Sequence, residues 1–193
     1  NYFKKGRKLY IKKISKDLEG DFNNQNILIA YICCKILKLS ETNFLKVIKS
    51  FKGLPFRSSI IFKNNKLKII NNSKSTNLNS TINSIKNYNN IYLILGGIAK
   101  EKNFEILTKY EKKLNCVYVF GKSGLFIEKK LKRKLFVKRS SNLKIVIEKV
   151  LEDIKKNRNK STILFAPACA SYDQYKNFEE RGIHFNQLIR NGL

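Results

Sequence analysis

The sequence predicts an α/β domain on a largely parallel sheet, and three observations carry that prediction. Short apolar runs without polar alternation, at about 91–95, 116–120 and 161–166, have the composition of strands buried on both faces. Stretches with helical periodicity, at about 77–88, 103–114, 140–156 and 177–190, separate them. Gly53-Leu54-Pro55 and the small-residue run Ala168-Cys169-Ala170 mark changes of chain direction. Such alternation implies right-handed βαβ crossovers and hence a Rossmann-like sheet.

In chain order, Leu9 to Ile14 reads as extended, and Gln25–Leu39 and Thr42–Phe51 as two helices. The second helix gathers Phe44, Leu45, Ile48 and Phe51 on one face. Gly53 and Pro55 end the helical pattern, so the domain boundary is placed there, giving segments 1–54 and 55–193. Ser58–Phe62 and Leu67–Asn71 flank Lys63-Asn64-Asn65-Lys66, a hairpin signal. Asn83 to Asn90 reads as an asparagine-rich loop. The run from Ser161 to Ala166 must stop at Pro167, which has no N–H for the ladder. Ser171 with Gln174 fits a capping box, and Asn177 with Glu180 repeats it. A helix starting at Ser171 would offer free N–H groups to an anion.

Ligands of such sheets meet the loops at the C-terminal ends of the strands. Those loops are Asn71–Asn77, Gly96–Lys100 and Ala168–Tyr172. Gly121-Lys122-Ser123 looks like the end of a phosphate-binding loop, but the glycine needed five residues earlier is Cys116, so a glycine turn is expected.

Composition narrows the classes. The chain has 193 residues, 40 Lys plus Arg against 14 Asp plus Glu, and a net charge of +26. A charge of that size raises nucleic-acid binding. The lysines, however, are spread along every element and accompanied by many asparagines and isoleucines, as A/T-rich codon choice produces. The densest patch, Lys129 to Arg139 (KKLKRKLFVKR), reads as a solvated helix end followed by an edge strand. Neither zinc-finger spacing nor an aromatic RNA-binding run accompanies it. Cys33, Cys34, Cys116 and Cys169 form no C-x-x-C pair and His184 is the single histidine, so disulfide and metal readings are weak and a reducing cytoplasm is expected. No apolar stretch approaches the roughly 18 residues of a membrane span.

Four segments, in order, resemble the Mur ligase family, and within it the ligases that add D-glutamate: GDFNNQNILIAY (Gly20–Tyr31), FKGLPFR (Phe51–Arg57) with INNSKSTN (Ile70–Asn77), LILGGIAKEKNF (Leu93–Phe104) and PACASYDQYKNFEERG (Pro167–Gly182). The resemblance implies that 55–193 is the family's C-terminal, amino-acid-binding domain, and that 1–54 is the helical end of a central ATPase domain. The family's P-loop and UDP-sugar domain are absent from the sequence, so a C-terminal fragment, inactive by itself, is expected.

The resemblance also implies roles. Thr76, Lys100 and Ser171 would hold the carboxylates of D-glutamate, with Tyr172 and Phe178 lining the pocket. Asn26, Arg57 and Asn72 would meet ATP, and Lys74 would act on the reacting groups. ATP would activate the carboxylate of UDP-N-acetylmuramoyl-L-alanine, with Mg²⁺ held by residues upstream, and D-glutamate's amine would attack it. A cytoplasmic monomer with neither nucleic-acid nor membrane partners is expected. Departures from the pattern are Asn72 in place of aspartate, Phe22 and Phe56 in place of histidines, and Ile98 in place of an acidic residue. Phe56 would keep an aromatic face for adenine. Another Mur ligase, a folylpolyglutamate synthetase-like ligase and a basic nucleic-acid module are the rival readings.

Overall fold

The computed structural model describes residues 2–4, 7–9 and 21–193. The extended stretch expected at Leu9–Ile14 lies outside them except for Leu9, which ends a strand. The chain divides into two compact units, Asn1–Leu54 and Pro55–Leu193.

In the first unit, β1 (Tyr2–Lys4) pairs antiparallel with β2 (Arg7–Leu9). Helices α1 (Asp21–Ile36) and α2 (Glu41–Ser50) follow. The Ser40 side chain accepts from the Asn43 N–H and so caps α2. Ile27, Tyr31 and Phe44 form a small buried cluster, with the Tyr31 and Phe44 rings edge to face at 5.4 Å. Tyr31 Oη donates to Glu41 Oε2 at 3.0 Å, which Lys35 Nζ also approaches at 3.1 Å.

The second unit is a sheet covered on both faces. Its strands are β3 (Ser59–Lys63), β4 (Leu67–Asn71), β5 (Ile91–Gly96), β6 (Leu114–Phe120), β7 (Val137–Arg139) and β8 (Ser161–Phe165), in the spatial order β3-β4-β8-β5-β6-β7. Only β3 runs antiparallel to its neighbour; the other pairings are parallel. Side chains alternate across the sheet. Leu93 and Leu95 of β5, Val117 and Val119 of β6 and Leu164 of β8 pack under α3 (Leu78–Lys86), the 3-10 segment Phe104–Lys113 and α4 (Gly124–Leu131). Tyr92, Ile94, Tyr118, Phe120, Ile163 and Phe165 pack under α5 (Leu143–Lys156) and α6 (Phe178–Gly192). Phe165 and Phe185 stack at 4.3 Å. Each such fully buried side chain contributes about 1.5–3 kcal/mol.

Several expected boundaries move, each for a local reason. The stretch 103–114 is a 3-10 turn broken at Tyr110, not an α-helix. Phe104, Leu107 and Tyr110 recur every three residues, the spacing that a 3-10 helix eclipses onto one face, and all three pack on the core. The helix expected from 140 starts at Leu143, because Asn142 accepts from the Ile145 N–H at 3.1 Å. Asn83 to Lys86 belong to α3, so the asparagine-rich loop begins only at Asn87. The patch 129–139 contains the last turn of α4 and the edge strand β7, which pairs with β6 alone.

Candidate functional site

The C-terminal edge of the sheet is built by four loops that hydrogen-bond to one another. After β4, the Asn71 side chain faces two ways: Oδ1 accepts from the Ser73 N–H at 3.0 Å, and Nδ2 donates to Gly182 O at 2.9 Å and Asn186 Oδ1 at 2.7 Å on α6. The Ser75 and Thr81 hydroxyls meet at 2.8 Å, and Asn77 caps α3 through the Ser80 N–H at 2.8 Å. With those polar residues turned inward, Lys74 and Thr76 remain half-buried at the rim. Lys74 Nζ sits 3.9 Å from the centre of the Phe178 ring, a cation–π contact between two residues expected in the site.

The loop after β5 needs both of its glycines. Gly96 and Gly97 have φ of 154° and 123°, and a Cβ at Gly97 would lie 2.1 Å from Ala170 O. That closeness lets Ile98 pair with Ala170 as a short antiparallel bridge, with N–H to O distances of 2.8 and 2.9 Å. Ser123 ties in the turn after β6: its N–H donates to Gly97 O at 3.0 Å and its Oγ accepts from the Ala99 N–H at 2.9 Å. Gly121-Lys122-Ser123 is thus a turn that braces a neighbouring loop, as a glycine turn requires. Glu101 Oε2 accepts from the Leu78 N–H at 2.7 Å, on the first turn of α3. Lys100 is therefore an exposed cation between two anchored residues, Ala99 and Glu101.

Arg181, near the start of α6, joins the loops. It is fully buried. Its Nε donates to Ser73 Oγ at 3.1 Å, Nη2 to Ser73 O at 2.8 Å, and Nη1 to Gly96 O at 3.3 Å and Cys169 O at 3.0 Å. One guanidinium thus pins the ends of β4, β5 and β8 together, using the planar fork that lysine lacks. Burial pushes its pKa down to about 10, with Cys169, Asp173 and Tyr175 working the other way. It remains a cation at neutral pH. Burial likewise pushes the Cys169 thiol up to about 12, which leaves it un-ionised and inert.

The segment after β8 corrects one expectation. No helix starts at Ser171: its carbonyl accepts from the Gln174 and Tyr175 N–H groups at 3.2 and 3.0 Å in a turn, and the Gln174 side chain donates to Ser141 O at 2.9 Å instead of capping. The helix waits for Asn177, whose Oδ1 accepts from the Glu180 N–H at 2.7 Å, while Glu180 Oε2 accepts from the Lys176 N–H at 2.7 Å. Ser171 is buried and Tyr172 exposed on that turn. Asp173 Oδ2 accepts from the Lys122 N–H at 2.9 Å.

Of the expected site residues, Lys74, Thr76, Lys100, Ser171, Tyr172 and Phe178 all sit on these linked loops or at the start of α6. Asn72 makes an internal contact. Its side chain is buried and its amide donates to Ser84 Oγ of α3 at 2.7 Å. Phe56 is half-buried and packs on α6: a Cβ at Gly182 would fall 2.4 Å from its ring. Arg57 is exposed just before β3, and Asn26 is an exposed residue of α1 in the first unit. Arg181 and Glu101 were not anticipated; the one hint was a glycine, Gly182, inside a helical stretch directly after Arg181. Among the described residues no group of three His, Cys, Asp or Glu side chains could hold a metal, and no helix is long and apolar enough to cross a membrane.

The architecture is that of the Mur ligase C-terminal domain: an α/β, Rossmann-like domain on a mostly parallel six-stranded sheet. The chain superposes on the UDP-N-acetylmuramate-alanine ligase MurC of Thermotoga maritima with a TM-score of 0.64 at 15% identity, covering 91% of this chain and 39% of that one. MurF of Acinetobacter baumannii gives 0.65 at 15% identity, over 89% and 38%. By sequence the chain is homologous to a C-terminal part of the UDP-N-acetylmuramoylalanine--D-glutamate ligases. It is 37% identical to that of Wolbachia sp. subsp. Brugia malayi over 167 residues, 86% of this chain and 34% of the relative. With the Rickettsia felis enzyme it shares 36% over 182 residues, 94% of this chain and 40% of the relative. The chain thus spans about a third to two fifths of the length of the curated relatives it matches. No protein-family model matches the chain.

Proposed function

We propose that this chain is the amino-acid-binding part of an ATP-dependent ligase that joins D-glutamate to UDP-N-acetylmuramoyl-L-alanine in peptidoglycan synthesis. The observation that carries the reading is the linkage of the loops bearing Thr76, Lys100 and Ser171 through Arg181, the Ile98–Ala170 bridge and the Glu101–Leu78 contact. Thr76 lies two residues before the Leu78 anchor and Lys100 one before Glu101, while Ser171 follows the bridge directly. A small dianion is well matched by one ammonium and two hydroxyls held on a rigid edge.

In this reading Lys100 pairs with one carboxylate of D-glutamate, and the hydroxyls of Thr76 and Ser171 donate to the other. Tyr172 and Phe178 wall the pocket. Lys74, braced on Phe178, supplies positive charge toward the reacting carboxylate. ATP supplies the phosphoryl group that turns the carboxylate of UDP-N-acetylmuramoyl-L-alanine into an acylating agent, and Arg57 is an exposed cation that could meet its phosphates. The donors described here do not make a Mg²⁺ site, so no step is assigned to a metal. The first unit is read as the end of the ATPase domain, and the 193-residue chain by itself as inactive.

Isothermal titration of the chain with D-glutamate and, separately, L-glutamate tests the proposal. Saturable binding of the D-isomer, weakened roughly 10–100-fold by Lys100→Ala through loss of a charge-assisted contact, is expected. Equal binding of the two isomers, or D-glutamate binding indifferent to Lys100→Ala, overturns it.

A further inference from the structure

Phe136 is exposed at 81%, more than any other large apolar residue among those described. Its place in the fold is rigid. Its carbonyl accepts from the Val117 N–H at 2.8 Å, and the preceding Leu135 is buried with its N–H on Leu131 O at 3.0 Å. The turn that leads to it contributes three successive exposed cations, Lys132, Arg133 and Lys134, held by the Lys132 and Lys134 N–H bonds to Glu128 O and Leu131 O at 2.9 and 3.0 Å. Neighbouring cations are spoken for: Lys130 pairs with Glu105 at 2.7 Å, Lys138 with Asp153 at 2.5 Å, and Arg139 with Glu128 at 2.8 Å. Lys129 is exposed one turn earlier on α4, on the same face as Leu125, itself 49% exposed.

We propose that the α4–β7 corner, Lys129, Lys132, Arg133, Lys134 and Phe136, is a docking surface for an anionic lipid bilayer. The charge is complementary to phospholipid headgroups, and a single fixed aromatic among lysines is the chemistry of an interfacial anchor: the ring enters the headgroup boundary while long cationic side chains reach phosphates. Single-stranded nucleic acid is matched less well. It needs successive aromatic platforms for successive bases, and this corner presents one ring. The proposal is independent of the ligase reading, since the corner shares no residue with the loops described above.

The test is co-sedimentation of the 193-residue chain with vesicles of phosphatidylcholine alone and of phosphatidylcholine with phosphatidylserine, at physiological salt, with circular dichroism confirming that each variant folds. Binding only to the anionic vesicles is expected. Phe136→Ser should weaken it about tenfold. The triple variant Lys132→Gln, Arg133→Gln, Lys134→Gln should weaken it about a hundredfold, at about fivefold per cation. Lys46→Gln, Lys49→Gln, Lys52→Gln removes the same charge from exposed positions of the first unit and should cost far less. If that control costs as much as the corner variant, or if Phe136→Ser binds like the parent, the charge acts diffusely and the proposal fails. Binding to an oligonucleotide that Phe136→Ser abolishes, with none to vesicles, also overturns it.

Discussion

Replacing Arg181 by Met tests the claim that one guanidinium holds the ligand edge together. The substitution keeps much of the side-chain volume and removes the donors to Ser73 O, Ser73 Oγ, Gly96 O and Cys169 O. Charge-assisted hydrogen bonds of this kind contribute about 1.5–3 kcal/mol each, and three carbonyls left without this donor bring the loss to roughly 5–8 kcal/mol. Against it stands the relief of a buried charge. The lowering of its pKa to about 10 places that penalty at about 3 kcal/mol. The net destabilisation is then about 2–5 kcal/mol, a large part of a typical domain's stability. Urea unfolding followed by circular dichroism should show a lower midpoint with an unchanged slope, and the thermal midpoint should fall by about 8–15 °C. Arg181→Lys should fare little better, because one ammonium cannot span three loops. The sign of the pH effect is fixed too. A depressed pKa on a base means that the stability gained by losing the proton is fully present only above the ordinary guanidinium value and is lost as pH falls through about 10. The gap between Arg181→Met and parent should therefore be flat from pH 6 to 9. A loss below about 0.5 kcal/mol would refute the reasoning, since the hydrogen bonds would then merely offset the cost of burying the charge.

Two further outcomes are expected. Gly97→Ala places a Cβ 2.1 Å from Ala170 O at a φ of 123°, so it must break the Ile98–Ala170 bridge; a loss of about 2–4 kcal/mol in urea unfolding is expected, and parent-like stability would show that the bridge is slack. Asp153 gives a pH test: burial works to raise its carboxyl, but hydrogen bonds from Lys138 and Tyr118 outweigh it and hold the pKa below the ordinary carboxylate value. Its contribution is thus present above about pH 4 and lost as pH falls further, so the urea midpoint should drop below pH 4 in the parent and drop less in Asp153→Asn.

The strands were legible because their burial is two-sided. Ile91–Leu95 and Ser161–Phe165 need no partner's identity to be read as sheet, and Asn177 with Glu180 announces a helix start in its own chemistry. The resemblance put Lys74, Thr76, Lys100 and Ser171 on loops after the strands, and that is where they lie. What escaped was the inner side of the same loops. An arginine in Phe178-Glu179-Glu180-Arg181 looks like a solvated helix residue, and only the three-dimensional convergence of Ser73, Gly96 and Cys169 makes it a buried clamp. Ser171 failed as a cap for the same reason: the turn from Ser171 to Tyr175 satisfies itself with backbone bonds, which local spacing does not reveal. The contacts of Asn72 with Ser84 and of Phe56 with Gly182 escaped too, because both join residues far apart in the sequence.

The last strand to be made is a central strand of the sheet. β4 and β5 never touch; β8 stands between them, joined to each by parallel pairing. During synthesis the chain therefore carries a β3–β4 hairpin and a β5–β6–β7 half-sheet with their inner edges open until residue 165 has emerged. Parallel pairing across such separations is slow and leaves unpaired edges exposed to other chains. One insertion then closes the sheet and brings the loops at the strand ends together, so a nascent chain stalled ahead of Ser161 has neither a finished core nor the Arg181 clamp.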